Sequence, residues 1–287
     1  MATIINGRAL AKEVNEKTAQ RVADLAKKGI KPGLASIMVG DDPASKIYTR
    51  NKQRRALSMG MNSFMENFPA DSSQETIEQA VLELNNNPLV DGILIQQPLP
   101  AHLDGVELTS KIDPNKDVDG FHPQNIGHLY ANHDGHYPIA CTPLGIMQML
   151  HAYSVPLDGA EVVIVGRSNL VGRPLTALML NAHATVTMAG THTRNLAHVV
   201  RHGDIIVAAT GVAHLIKAEM VKPGAVVIDV GINRRKDGSL TGDVDFDAVK
   251  DVASKITPVP GGVGPMTIAS LMSQTVDLTE WRHGIDE

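Results

Sequence analysis

The apolar and polar positions of this chain follow two alternating periods from one end to the other. Residues 8–28 carry Leu10, Val14, Val22 and Leu25 among charges, the spacing of an amphipathic helix. Residues 34–39 form an apolar strand that ends in the turn Gly40-Asp41-Asp42-Pro43, and residues 44–58 a helix opened by that proline. Residues 63–68 read as a second strand and 74–85 as a helix. Residues 90–95 are a third apolar strand, running into Gln96-Gln97-Pro98-Leu99-Pro100. Thr142-Pro143 opens a helix over 144–152. Strands at 162–165, 184–188, 204–208 and 226–230 then alternate with helices at 175–180 and 195–201. A last helix, 266–278, follows a glycine-proline stretch and is expected to pack back on the first domain. Strands alternating with helices predict parallel α/β layers, with ligands beyond the strands' carboxyl ends. No internal repeat stands out.

Within that pattern one stretch carries a nucleotide signal. Residues 161–174, EVVIVGRSNLVGRP, give a β-branched strand, a turn bounded by Gly166 and Gly172, and the start of a helix. Strand, glycine turn and helix open a nucleotide-binding unit, where phosphate sits on the helix N-terminus. The turn lacks the middle glycine of G-x-G-x-x-G. An NAD site usually places an acid about 20 residues further on, to hold the ribose 2′-hydroxyl. Here residues 162–203 contain no Asp or Glu, yet carry Arg167, Arg173, Arg194 and Arg201. At the average of 31 acids in 287 residues, such a stretch would hold about four or five. The sign suits a 2′-phosphate, which guanidinium grips better than ammonium does. The expected cofactor is therefore NADP.

Composition narrows the class. A chain of 287 residues with 43% hydrophobic and 20% charged residues suits two globular domains. Net charge is −5 with no long basic run, so no nucleic-acid partner is expected. The N-terminus lacks the apolar region of a signal peptide and no long apolar run occurs, so no membrane role and a cytoplasmic location are expected. One cysteine, Cys141, excludes an internal disulfide and reads as a small packing residue. No metal is expected: the acids of residues 113–119 do not complete a calcium loop, and His198 and His202 lack an accompanying H-E-x-x-H motif.

Three polar features lie near strand ends in the first half. Tyr48 and Lys52 are four apart and share a helical face, bringing a phenol and an ammonium together. A lysine in a partly desolvated cleft can shuttle protons, although a solvated face is the plainer reading beside Arg50, Arg54 and Arg55. Gln96 follows a buried strand and either positions a water or lysine or bonds the local backbone. Asp119 either accepts paired N–H donors from a heterocycle or makes a turn.

Together these segments resemble the bifunctional methylenetetrahydrofolate dehydrogenase/methenyltetrahydrofolate cyclohydrolase family, nearly end to end. The resemblance rests on the Ser45–Tyr48–Lys52 helix, Gln96-Gln97-Pro98-Leu99-Pro100, Lys116-Asp117-Val118-Asp119-Gly120-Phe121 and Cys141-Thr142-Pro143-Leu144-Gly145. It continues through Gly166-Arg167-Ser168, Val171-Gly172-Arg173-Pro174 and Asp229-Val230-Gly231-Ile232-Asn233-Arg234, and is most specific at PVPGGVGPMT, residues 258–267.

The resemblance implies an α/β protein of two domains with the active site in a cleft between them. Residues 1–139 with the C-terminal helix 266–287 would be the catalytic folate-binding domain, and 140–265 a Rossmann-type NADP-binding domain. Lys52 would be the central catalytic residue, Tyr48 would line the folate site, Gln96 would position Lys52 and water, and Asp119 would grip the pterin edge. Gly166, Arg167, Ser168 and Ile232 would contact NADP, and Gly262 and Pro265 the substrate. A homodimer is implied, as is a place in one-carbon metabolism serving purine and amino-acid biosynthesis. Two departures are Ala140, where the family commonly has proline, and Gly190-Thr191-His192-Thr193, in place of a His-Ser-Arg-Thr-like segment. Rival readings are a short-chain or shikimate-dehydrogenase-like oxidoreductase and a non-catalytic folate- or nucleotide-sensing module. In short-chain enzymes Tyr-x-x-x-Lys follows the dinucleotide turn, whereas Tyr48 precedes Gly166 by far.

Overall fold

The protein is described here by a computed structural model covering residues 1–285. The last two positions of the expected 266–287 segment lie outside the described residues. In chain order the first elements are β1 (Thr3–Ile4), α1 (Gly7–Lys27), β2 (Gly33–Val39), α2 (Pro43–Ser58) and β3 (Asn62–Phe68). They are followed by α3 (Gln74–Asn86), β4 (Gly92–Ile95), α4 (Gly105–Ser110), α5 (Pro123–Tyr130) and α6 (Cys141–Ala152). Then come β5 (Glu161–Val165), α7 (Gly172–Asn181), β6 (Thr185–Ala189), α8 (Leu196–Val200), β7 (Ile205–Ala208) and β8 (Val226–Asp229). The chain closes with β9 (Asn233–Arg234), β10 (Leu240–Thr241), α9 (Phe246–Val249), β11 (Lys255–Ile256) and α10 (Val263–Arg282). Every strand and helix expected from periodicity is present, within a few residues at its ends. The short elements β1, α4, α5, the β9–β10 hairpin, α9 and β11 were not anticipated, because none of them carries a distinct periodic or apolar run.

The chain divides into two compact units. One comprises Glu13–His128, His133–Cys141 and the chain from Ser270 onward; the other comprises Met1–Lys12, Leu129–Asn132 and Thr142–Ala269. Met1–Lys12 falls in the second because β1 pairs in parallel with β11.

The first unit is built on a three-stranded parallel sheet in the order β3-β2-β4. Alternation along buried strands sends side chains to two faces, and both are covered. Ala35, Ile37, Val39, Ile93 and Ile95 pack with Ile77, Val81 and Leu84 of α3 and Leu108 of α4. Leu34 and Leu94 face the other way, onto Val22 and Leu25 of α1, Ala56 of α2 and Leu271, Met272 and Val276 of α10. The expectation that the last helix rejoins the first-half sheet is met by this face. Residues 116–118 run alongside β4: Ile93 donates its N–H to Lys116 O (2.6 Å) and Val118 N–H returns to Ile93 O (3.3 Å).

The second unit holds a six-stranded parallel sheet in the order β1-β11-β8-β7-β5-β6. Numbered by appearance, β6-β5-β7-β8-β11 read 2-1-3-4-5, a doubly wound order whose reversal lies between β5 and β7. Ligands bind beyond the carboxyl ends of strands at such a reversal. Gly166 leaves β5 at φ +130°, and a Cβ there would overlap Ala209 O, so only glycine fits. A Cβ on Gly172 would overlap Gly166 O, which fixes how closely α7 approaches the turn.

Lys116 shows how the first unit is pinned. Its Nζ donates to Asn85 O (2.7 Å), Asn87 O (3.0 Å) and Leu84 O (3.4 Å), closing the carbonyl end of α3. Replacing Lys116 by Met strips these acceptors, and urea unfolding is expected to show a loss of about 1–3 kcal/mol. Unchanged stability would contradict this role.

Candidate active site

Helix α2 begins where Asp42 caps it, its carboxylate accepting from Ser45 N–H at 2.7 Å, with Pro43 in the first turn. Ser45, Thr49 and Ala56 are buried on one face, which turns Lys52 toward the end of β4 while Tyr48 remains 38% exposed. Lys52 Nζ donates to Gln96 Oε1 at 3.1 Å. Gln96 Nε2 donates to Gln97 O at 2.7 Å, so the amide is fixed with its oxygen toward the lysine. Of the two readings of Gln96, the structure supports both at once: it bonds local backbone and holds Lys52.

Asp119 arrives from the strip beside β4, two residues beyond Asp117, which pairs with Ile93. Part of Asp119 reaches the surface, but its carboxyl is enclosed by protein. Burial pushes that carboxyl above its ordinary value, while the Lys52 ammonium and a hydrogen bond with the Cys141 thiol pull the other way. The Cys141 thiol is pushed well up, first by burial and then by the Asp119 charge. It also donates to Val118 O at 3.3 Å. Cys141 therefore packs, as expected, and in addition borders the carboxylate.

The Lys116–Gly120 motif divides its labour. Lys116 closes α3, Asp117 accepts from His122 N–H (2.7 Å) and Asn125 Nδ2 (2.9 Å), and Val118 is core. Gly120 has φ +66° with the Ile139–Ala140 backbone where a Cβ would stand. Asp119 is the remaining member and the candidate for chemistry. Behind it stands a residue that sequence reasoning missed: buried Gln274 of α10 donates to Val118 O (2.6 Å) and Ile139 O (2.7 Å) and accepts from Ile139 N–H (2.9 Å). A glutamine inside an apolar helix gave no signal of that brace.

Tyr48, Lys52, Gln96 and Asp119 thus fall in one unit. Gly166, Arg167, Ser168, Ile232, Gly262 and Pro265 fall in the other. There the turn after β5 is closed by its own hydrogen bonds. Ser168 Oγ accepts from Val171 N–H (3.2 Å), Ser168 O from Arg173 N–H (3.1 Å), and α7 has no side-chain cap to compete for an anion. Arg167 lies across Gly190, its Cδ 3.3 Å and Nε 3.4 Å from where a Gly190 Cβ would stand. The departure at Gly190 thus gives the guanidinium its room at the end of β6, where a ribose 2′-substituent is expected. A nicotinamide dinucleotide phosphate fits these residues. Ile232 is 47% exposed beside Gly264, and Gly262 is packed too closely on Thr257 and Pro258 for any side chain.

A doubly wound dinucleotide unit beside a separate unit carrying a Lys–Gln–Asp constellation defines a two-domain α/β protein with a nucleotide-binding half. Comparison with known proteins specifies it. The family described as Tetrahydrofolate dehydrogenase/cyclohydrolase, catalytic domain, matches residues 5–119. The same family's NAD(P)-binding domain matches residues 140–283. The bifunctional protein FolD of Limosilactobacillus reuteri is 58% identical over 284 residues, covering 99% of either chain. A bifunctional FolD structure from Campylobacter jejuni superposes with a TM-score of 0.96 at 41% identity, covering 98% of this chain and 100% of that one. One from Trypanosoma brucei, complexed with NADP cofactor and inhibitor, gives 0.95 at 37%, covering 98% of each. The chain belongs to the tetrahydrofolate dehydrogenase/cyclohydrolase family. It is an enzyme carrying a dehydrogenase and a cyclohydrolase activity, and the shikimate-dehydrogenase-like and sensing-module readings give way.

Asp229, at the end of β8, is buried and accepts from Gly231, Asp243 and Val244 N–H, each at 2.9 Å. Burial outweighs those donors and pushes its carboxyl up to about 6 from an ordinary 3.8. The native state therefore holds this proton more tightly than the unfolded chain. Asp229's contribution to stability grows as pH falls from about 6 toward 4 and is lost as pH rises through 6. Carboxyl carbon NMR should show Asp229 titrating near 6; an ordinary midpoint would contradict its desolvation.

Proposed function

We propose that this enzyme oxidises 5,10-methylenetetrahydrofolate to 5,10-methenyltetrahydrofolate with NADP and then hydrolyses that product to 10-formyltetrahydrofolate. The observation that carries the reading is the Lys52 Nζ–Gln96 Oε1 hydrogen bond of 3.1 Å, beside a carboxylate that feels the same ammonium. Residues 13–139 and the C-terminal helix carry the folate chemistry, and residues 140–265, with the N-terminal strand, bind NADP.

When bound, NADP supplies the hydride acceptor. Gly166 and Ser168 shape the turn under its phosphates, Arg167 holds the 2′-phosphate, and Ile232 covers part of the cofactor. Asp119 takes N–H donors of the pterin edge and Tyr48 lines the aminobenzoate ring, so the one-carbon bridge is oriented before reaction. Removing hydride leaves a delocalised cation at that carbon. Water then adds there, one carbon–nitrogen bond opens and a proton is released. Lys52 takes that proton as its neutral amine and passes it to solvent, with Gln96 holding both the lysine nitrogen and the water. Gly262 and Pro265 complete the substrate contacts. One folate pocket serves both steps because the product of the first is the substrate of the second.

The enzyme acts as a homodimer in the cytoplasm, without nucleic-acid or membrane partners, and feeds purine and amino-acid biosynthesis. No helix among the described residues is long and apolar enough to cross a membrane.

Steady-state assays with methylenetetrahydrofolate and either NADP or NAD test reaction and cofactor together. Lys52→Met is expected to cut cyclohydrolase turnover by at least about a hundredfold while NADP binding stays near wild type; retained hydrolysis would sink the assignment. Arg167→Ala is expected to weaken NADP by about tenfold or more and NAD far less. Equal losses would show that Arg167 does not read the 2′-phosphate.

A further inference from the structure

Two buried aspartates in the dinucleotide unit take no part in the chemistry above. Asp243 is fully buried. Its Oδ2 accepts from Thr210 N–H (2.5 Å), Thr210 Oγ1 (2.9 Å) and Gly211 N–H (2.9 Å). Its Oδ1 accepts from Asn233 Nδ2 at 2.9 Å. Thr210 and Gly211 follow β7, and Gly231 to Asn233 follow β8, so one carboxylate holds the exit loops of two neighbouring strands. Asp229 fixes the aspartate in turn, since its Oδ1 accepts from Asp243 N–H. Two glycines make the arrangement possible: a Cβ on Gly231 would overlap the Asp243 carboxylate, and one on Gly242 the Asp229 carboxylate. Between Gly231 and Asn233, the exposed Ile232 is flanked by two residues that both meet the Asp243 carboxylate.

We propose that Asp243 is a positioning residue for the dinucleotide, a latch that locks the loops after β7 and β8 together and thereby sets where Ile232 meets the cofactor. The proposal rests on the reading of Ile232 as a cofactor contact. Its physical content is polarity: a carboxylate accepts from donors on both sides, and Asn233 supplies the donor on one of them.

That polarity supplies the test. Asn233→Asp sets two carboxylates face to face and releases the loop. The double variant Asn233→Asp with Asp243→Asn restores one donor and one acceptor, with the new amide oxygen still serving Thr210 and Gly211. The single variant is expected to raise the NADP dissociation constant by about tenfold, and the double variant to bring it back to within about threefold of wild type. Hydrolysis of methenyltetrahydrofolate, which needs no dinucleotide, is expected to stay within about twofold in both variants. Wild-type NADP affinity in Asn233→Asp, no recovery in the double variant, or a parallel fall in hydrolysis would overturn the latch. Ile232→Ala separates the premise from the proposal. Unchanged NADP affinity there, with a weakened Asn233→Asp, would remove the Ile232 contact and keep the latch.

Discussion

A carboxylate taken out of water must be given hydrogen-bond donors, and this protein meets that requirement by drawing separate loops together. Asp91 joins Gly33 N–H at the start of β2 to the Arg282 guanidinium near the end of α10. Asp117 secures the approach to α5, and Asp229 and Asp243 gather the loops beyond β7 and β8. Each anion specifies a backbone path, and glycines stand where that path leaves no room for a Cβ. The ordered loops at the carboxyl ends of the strands depend on these buried acids as much as on the apolar sheets beneath them.

The same economy shapes the constellation of Lys52, Gln96 and Asp119. Lys52 is held from one side by an amide whose other end is spent on its own neighbour's carbonyl, so the group that orients the lysine is itself oriented. Asp119 emerges from a strip whose preceding residues are all structural, and Gln274 braces that strip from behind. A lysine, an amide and a carboxylate supplied by a helix, a strand end and a bridged strip thereby lie close enough to interact, the kind of fixed arrangement that the proposed chemistry requires.

Much of this was legible beforehand, for identifiable reasons. Strands such as residues 34–39 and 162–165 are buried on both faces, so they appear as apolar runs, broken in the first only by Ser36. The long helices show their amphipathic period, and the acid-free span after Gly166 displays its charge in composition alone. Gln274, Asp243 and Thr210 were not legible. A buried amide or aspartate looks, in sequence, like any polar residue on a helix or in a loop. Its meaning lies in partners tens to more than a hundred positions away. The short α4, α5 and β9–β10 escaped because their few residues mix polar and apolar positions without a run or a period that marks them.

By itself the sequence determined the parallel α/β layers, the dinucleotide turn, its preference for NADP and the placing of Tyr48 and Lys52 on one helical face, because period, charge and short motifs are local properties. Only the tertiary structure decided that Gln96 points its oxygen at Lys52, that Arg167 lies across Gly190, and that β1 closes the far edge of the dinucleotide sheet. Those outcomes depend on which distant segments share a desolvated space, and no local pattern records that.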